Sequence, residues 1–313
     1  MTSAESPRGT RKSGARPALT SKNSAKARAA RHRAVRAESA PDLGPTTQGA
    51  NRIPVGLSSS AVYPLSISEC FAVAADLGYD GVEVMVSSNS ISQDPKAIRN
   101  LCEHYGLPVL SIHAPTLLVM QRVWGKDPWT KIERSSELAA EVGADTVVVH
   151  PPFRWQGSYA EGFHEGVRRI SKDYGINVAV ENMFPWRTGV REVMVYLPDW
   201  NPVDEDYDKI TVDFSHAATA GSDILGMIDT LGDRLAHIHL ADGSGSLKDE
   251  HLAPGHGNQP CAEALQKLSH SDWTGAVVAE VNTRRCRTIA ERDDLLLHTL
   301  SFAREHLGQL SHD

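Results

Sequence analysis

Residues 128–150 read PWTKIERSSELAAEVGADTVVVH. The amphipathic stretch Pro128–Val142 stops at Gly143, as helices do when a left-handed residue caps the C-terminus. A β-branched, apolar run, Thr146–His150, follows and ends on a histidine. This unit of helix, glycine, strand and polar end recurs in both directions. It predicts strands at Ile53–Ser58, Gly81–Val86, Pro108–His113, Thr146–His150, Asn177–Glu181, Ile210–Phe214, Ala236–Leu240 and Ala276–Val281. Helices are expected at Ser68–Leu77, Asp94–Tyr105, Pro128–Val142, Ala160–Tyr174, Gly221–Leu231, Cys261–Leu268 and Thr288–Leu307, several ending in glycine (Gly78, Gly106, Gly143, Gly175). Alternating strands and helices imply a parallel sheet. Eight strands in roughly 260 residues match an α/β fold of the (β/α)8 TIM-barrel type. The competing open sheet would usually bring a glycine-rich dinucleotide loop after its first strand. Gly56-Leu57-Ser58-Ser59-Ser60 is not one.

Around this periodic body the charge is uneven. The chain has 313 residues and a net charge of −7. Residues 1–52 hold 11 Lys and Arg against 3 Asp and Glu, whereas 53–313 hold 21 against 36. Two regions are therefore expected: a basic, disordered tail over 1–52, and a catalytic barrel over 53–313. The tail is too poor in large apolar residues to bury a core. It lacks a secretory apolar segment, although its Arg-rich, acid-poor start also resembles an organelle transit peptide. No apolar run approaches the roughly 20 residues that span a bilayer, so no membrane partner is expected. Four cysteines lie far apart without a CxxC pair, which fits a reducing cytoplasm. A body this acidic repels polyanions, so a nucleic-acid partner is disfavoured.

In a barrel of this type, chemistry sits at the C-terminal strand ends. Strand three ends on His113, strand four on His150, strand five on Glu181-Asn182, and strand six on Asp213 with His216 beyond it. Strand seven carries His239, with His237 one layer deeper and read as a core histidine. Its loop brings Asp249, His251 and His256, and strand eight ends at Glu280. A lone histidine at a strand end is usually a hydrogen-bonded structural residue, Glu181 alone could pair with an arginine, and His256 reads as a loop residue. Six consecutive strands ending on metal-binding side chains are harder to explain singly. Buried carboxylates are costly without partners, so their convergence points to cations.

The motifs are His-Ala-Pro after strand three, Val-His-Pro after strand four and Val-Glu-Asn on strand five. Asp-x-x-His-x-x-x-x-Gly (213–221), His-Leu-x-Asp (239–242) and Asp-x-His-Leu-x-Pro-Gly-x-Gly (249–257) complete them. From about Ile53 to Leu307 the chain resembles the xylose-isomerase-like barrel superfamily, which includes sugar isomerases and epimerases and the endonuclease IV class. The resemblance implies a metal site from Glu181, Asp213, His239 and Glu280. It implies a second from His113, His150 and a bridging Glu181, and a third from His216, Asp249 and His251.

The expected cofactor is a divalent metal, Zn, Mn or Mg, in one to three ions. The expected function is a sugar or sugar-phosphate isomerase or epimerase. A metal-bound carbonyl would acidify its neighbouring C–H, Glu181 and Glu280 would exchange the proton, and His216 would orient a sugar oxygen. No lysine falls within a predicted strand, which argues against a Schiff-base aldolase. The alternatives are a trinuclear zinc phosphoesterase acting on abasic DNA and a metal-binding barrel without catalysis. His150-Pro151-Pro152 departs from the His-Pro-Gly usual in the nuclease class. Trp124, Phe153, Trp155, Phe184 and Trp186 lie on top-face loops and can wall a sugar pocket or anchor the loops. Substrate contacts are expected from Trp124, Arg154, Trp155 and Trp186. Arg122 and Arg187 are further anion-binding candidates, and the turn Gly243-Ser244-Gly245-Ser246 is a weaker phosphate cradle.

Overall fold

A computed structural model describes residues 52–116, 123–188 and 191–309. Ten strands are found among them: β1 (Val55–Ser58), β2 (Gly81–Met85), β3 (Val109–His113), β4 (Thr146–Val149), β5 (Asn177–Glu181), β6 (Trp186–Thr188), β7 (Arg191–Val193), β8 (Ile210–Asp213), β9 (Leu235–Leu240) and β10 (Ala276–Ala279). Eight close into a parallel barrel in the order β1-β10-β9-β8-β5-β4-β3-β2. Because β1 pairs with both β2 and β10, there is no open edge. The open-sheet alternative is excluded. Residues 1–51 of the basic tail and Arg122 lie outside the described residues, whereas Arg52 pairs with Asp80 at 3.0 Å.

Local chemistry sets the surrounding helices. Helix α1 (Ile67–Leu77) starts with a reciprocal capping box between Ser66 and Glu69. Asp94 and Asp127 cap α2 (Pro95–Tyr105) and α3 (Pro128–Val142), each with proline in the first turn. Next come α4 (Ser158–Glu161), α5 (Phe163–Tyr174), α6 (Phe214–Ala220), α7 (Ile224–Leu231), α8 (Cys261–Ser269) and α9 (Ile289–His306). Gly78, Gly106, Gly143 and Gly175 adopt left-handed φ values of 87°, 66°, 77° and 64° at their helix ends.

Three sequence expectations are corrected. The helix expected over 160–174 breaks at Gly162 into α4 and α5. The helix expected over 221–231 starts later, because Gly221 is the left-handed cap of α6. Helix α6 itself was hidden inside the strand-six motif, where Asp213 is both the last strand residue and the helix N-cap. The β6–β7 hairpin was also not foreseen, since three-residue strands carry little periodic signal.

The strands present two different faces. One set of alternate residues, including Leu57, Val84, Ile112, Val149, Val180 and Ile238, joins the apolar core beneath the helices. The other set faces the barrel lumen and is polar. Ser58, Glu83, Ser111 and His237 come from β1, β2, β3 and β9 and hydrogen-bond across the lumen. Leu110 is the extra residue of a bulge where β2 meets β3. A Cβ on Gly56 or Gly81 would lie 2.7 Å from its side chain, so both strands need glycine there.

A cavity of about 1000 Å³ opens at the N-terminal end of the strands, bordered by Pro54, Pro108, Asp145 and Trp273. The two lysines lining it are engaged within the barrel. Lys267 pairs with Asp229 at 2.6 Å, and Lys209 donates to the Asp233 carbonyl at 2.8 Å. The titratable clusters lie at the other end. No described helix is long and apolar enough to cross a membrane.

Candidate metal centre

Four ligand groups meet above the Glu83 layer. His239 Nδ1 lies 2.7 Å from Glu181 Oε1, 2.9 Å from Glu280 Oε2 and 3.6 Å from Asp213 Oδ2. Glu181, Asp213, His239 and Glu280 can each turn one donor atom to a common point. Cross-strand register brings them level. His239 is opposite Asp213 on one side and Val278 on the other, and Glu280 follows β10. Glu280 is steadied by Ser60, whose hydroxyl donates to Oε1 at 2.7 Å.

Two histidines flank Glu181 on one side. His150 Nε2 is 2.8 Å from Glu181 Oε2, and His113 Nε2 is 3.6 Å away. The short contact has no hydrogen-bond alignment, and Glu181 Oε2 and His150 Nδ1 are both buried without a hydrogen-bond partner. On the other side, Asp249 Oδ2 lies 3.4 Å from His216 Nε2 and 3.0 Å from His251 Nε2. Asp213, His216 and His251 also offer convergent donors.

The inner hydrogen bonds orient these rings. His216 Nδ1 donates to the Asn182 carbonyl at 2.9 Å, and His251 Nδ1 donates to the Glu280 carbonyl at 2.6 Å. Each is thereby held with Nε2 toward Asp249. His239 Nε2 donates to Glu83 Oε2 at 3.1 Å, leaving Nδ1 toward the carboxylates. Engaging one ring nitrogen so that the other faces the ion is how proteins present histidine ligands. His251 has a φ of 46°, unusual for a residue with a side chain. The Ser215 hydroxyl accepts its N–H at 2.9 Å and holds it there. Asp213 uses Oδ1 to cap α6 at His216 N–H, 2.7 Å away, while its Oδ2 is buried without a hydrogen-bond partner.

The electrostatics demand positive charge at this centre. Burial alone would lower the His239 pKa, but Glu83, Glu280 and Glu181 raise it well above the usual histidine value. Burial would raise Glu181, yet His239, His113 and His150 hold it well below the carboxylate range. His216 is likewise raised against its burial by Asp213 and Asp249, and His251 reaches about 9. His150 goes the other way, because its desolvation prevails over Glu181. Either protons or a cation must offset the carboxylates. The orphaned Glu181 and Asp213 oxygens and the pre-oriented rings fit a divalent ion with mixed oxygen and nitrogen ligands.

All nine ligand candidates from the sequence meet at this end of the barrel. Glu83 was missed. Its signal was a carboxylate between valines in a buried strand. The substrate-side candidates divide. Trp155 and Trp186 are exposed and gather around Phe153, with ring centroids 4.6 and 5.8 Å from it. Phe184 lies 5.3 Å from the His216 ring. Arg154 is exposed beside them. Trp124 instead packs on the core under Arg134, whose guanidinium sits 5.4 Å from the ring. Arg187 is engaged by Glu192 at 2.7 Å and the Thr219 carbonyl at 3.0 Å. The Gly-Ser turn is no open phosphate cradle, because Glu250 accepts both the N–H and hydroxyl of Ser244. His256 stays a loop residue, 5.2 Å from the His298 ring.

Known proteins resemble this chain in sequence and fold. The chain is 48% identical over 274 residues to an uncharacterized protein of Mycobacterium tuberculosis strain H37Rv, covering 82% of this chain and 98% of that one. It is 22% identical over 242 residues to fructoselysine 3-epimerase of Escherichia coli O157:H7, covering 70% and 86%. The crystal structure of a D-tagatose 3-epimerase-like protein superposes with a TM-score of 0.59 at 25% identity, covering 81% of this chain and 99% of that one. The sequence pattern of one family spans residues 71–306. By that match the chain belongs to the xylose isomerase-like TIM-barrel family, whose members include sugar epimerases and isomerases.

Proposed function

We propose that the protein is a divalent-metal-dependent isomerase or epimerase of a sugar or sugar phosphate. It works by proton transfer at the carbon beside a carbonyl. The observation that carries this reading is the pair Glu181 and Glu280, 2.7 and 2.9 Å from one atom, His239 Nδ1. Their strands, β5 and β10, are not neighbours, so the two carboxylates reach this point from different sides of the lumen. A cation held by Glu181, Asp213, His239 and Glu280 would polarise the substrate carbonyl and acidify the adjacent C–H.

The chain's own groups then move the proton. One glutamate takes it from the carbon, and the electron pair passes onto the carbonyl oxygen. The other glutamate returns a proton, to the opposite face for epimerisation or, once the neighbouring hydroxyl has passed its proton to the former carbonyl oxygen, to the former carbonyl carbon for isomerisation. Ser60 holds one oxygen of Glu280, which leaves Oε2 toward His239 and the substrate, while Oε2 of Glu181 is left without a hydrogen bond. His216, beside Phe184, would meet a sugar oxygen through the Nε2 that otherwise faces Asp249, and Trp155 and Trp186 would wall the ring. The neighbours named as sugar epimerases support the same chemistry. Protein reconstituted with Mn, Mg or Zn should exchange solvent deuterium into at least one ketose or aldose, and Glu280→Gln should slow this at least about a hundredfold. No exchange into any sugar with any of the three metals defeats the reading.

A second reading rests on the outer groups. His113 and His150 around Glu181, and His216 and His251 around Asp249, supply donors for two more ions, as a trinuclear phosphoesterase requires. Chelator-sensitive nicking of a duplex containing an abasic site would favour it.

A further inference from the structure

The loop after β10 carries Arg284, Arg285 and Arg287 within four residues, close beyond Glu280. It is a basic island on a body whose residues 53–313 hold 36 acidic against 21 basic side chains. All three arginines are exposed, and none joins an ion pair among the described residues. The loop is nevertheless fixed. Asn282 donates its N–H to the His251 carbonyl at 2.7 Å, which ties it to the loop after β9. Thr283, buried, donates its hydroxyl to the Ala61 carbonyl at 2.5 Å, which ties it to the loop after β1. Asn282 Oδ1 accepts the Arg284 N–H at 3.1 Å, closing a turn.

These anchors seat the loop against the two loops that steady the centre, the one that supplies Ser60 to Glu280 and the one that carries His251. Arg284 lies 4.9 Å from the ring of Tyr63, in the same β1 loop that supplies Ser60 to Glu280. The arginine-bearing loop is thus tied beside the metal centre on both sides, and its exposed guanidinium groups join no ion pair among the described residues.

We propose that this loop is an anion grip. It takes the phosphate or carboxylate of a sugar substrate while the reacting carbonyl lies at the metal centre. The proposal rests on the isomerase reading for its substrate, but the anion site stands apart from catalysis. Arginine forks suit both oxyanions in a bidentate manner. On a body this acidic, a neutral sugar would need no such device, whereas an anionic one would be repelled without it.

The test uses the full-length chain with inorganic phosphate as the first probe. Calorimetry on protein stripped with EDTA removes any metal-held phosphate from the signal. Phosphate should bind the stripped wild type, and Arg284→Gln/Arg285→Gln should weaken it at least about tenfold, the scale for losing charged hydrogen bonds. Both side chains are exposed, so melting should be unchanged. Arg285→Lys, which keeps charge but loses the fork, should fall between.

The metal-loaded enzyme is then given D-fructose, D-fructose 6-phosphate and 2-keto-D-gluconate. KM for the phosphate or the acid should rise at least about tenfold in the double variant, with kcat and the fructose KM unchanged. Whichever anionic sugar responds identifies the group. Phosphate binding that is absent, or indifferent to both arginines, overturns the proposal. So does equal use of fructose and its anionic analogues. Arginine-dependent phosphate binding without deuterium exchange into any sugar defeats the isomerase reading alone and leaves the anion site standing.

Discussion

Glu83 is the residue on which the centre rests. It is fully buried and accepts from Ser58 at 3.1 Å, Ser111 at 2.7 Å, and His237 and His239 at 3.1 Å each. Its bond to His239 Nε2 decides which ring nitrogen faces Glu181 and Glu280. Glu83→Ala should therefore weaken metal binding about 10- to 100-fold, as loss of such outer partners does, with Glu83→Gln milder because its amide oxygen still accepts. Competition against a chromogenic chelator measures this, and wild-type affinity in Glu83→Ala would refute it. The same residues make stability depend on pH when metal is removed. His239, His216 and His251 are raised in the folded chain, the last to about 9. Their contribution is complete below the unfolded value of about 6.5 and is lost as pH rises through the folded values. EDTA-treated protein should melt progressively lower from about pH 6.5 to 9, and added Mn should restore it at the upper end as the cation replaces the protons. A flat melting profile across that range without metal would show the centre does not need the charge.

At the scale of elements, bulges and caps carry the site's geometry. The bulge between β2 and β3 gives Leu110 to the lumen floor, where Gly56 and Gly81 leave it room. A Cβ at Gly81 would lie 2.7 Å from Leu110 Cγ and 2.8 Å from the Pro108 carbonyl, and backbone cannot give way cheaply. Gly81→Ala should cost about 1–3 kcal/mol by urea unfolding, the range for overpacking. Because β2 also carries Glu83, metal affinity should fall with it. A neutral Gly81→Ala would mean the floor is looser than the packing indicates. A second bulge, where β8 meets β9, sets the register that puts His239 opposite Asp213. After β9, Asp242 accepts the N–H groups of Gly243, Gly255, Gly257 and Gln259 at 2.8 to 3.1 Å. One carboxylate thus shapes the loop that returns Asp249 and His251 to the centre.

For the molecule as a whole, closure from β1 to β10 is completed by residues beyond 52. We propose that the basic segment 1–52 is separate from the catalytic barrel. Deleting residues 1–51 should leave melting and sugar turnover within about twofold of the full chain, since a closed barrel keeps its own core. A large loss of either in that truncation would join the tail to the enzyme. If the phosphoesterase reading holds instead, the same deletion should weaken duplex binding and flatten its salt dependence.

Periodicity and turn chemistry made the barrel legible in the chain. Thr146–Val149 and Asn177–Glu181 read as strands because β-branched residues follow a glycine cap, and those signals are local. Six of the nine ligand candidates were legible for a related reason, since strand ends are marked by where the apolar run stops. Four features were not legible. Glu83 looks like any buried strand residue until the lumen brings it beneath His239. Helix α6 is too short to show a period, and Asp213 serves as strand end, cap and candidate ligand at once. Arg187 and Trp124 carry the same letters as substrate-binding groups, yet Glu192 and Arg134 engage them. The loop arginines beyond Glu280 gained meaning only when Thr283 and Asn282 tied them to two other loops. The sequence determined which segments fold and which side chains carry charge. Only the closed barrel decided which charges face one another, because partners such as Glu83 and His239 lie 156 residues apart and meet through strand register rather than spacing.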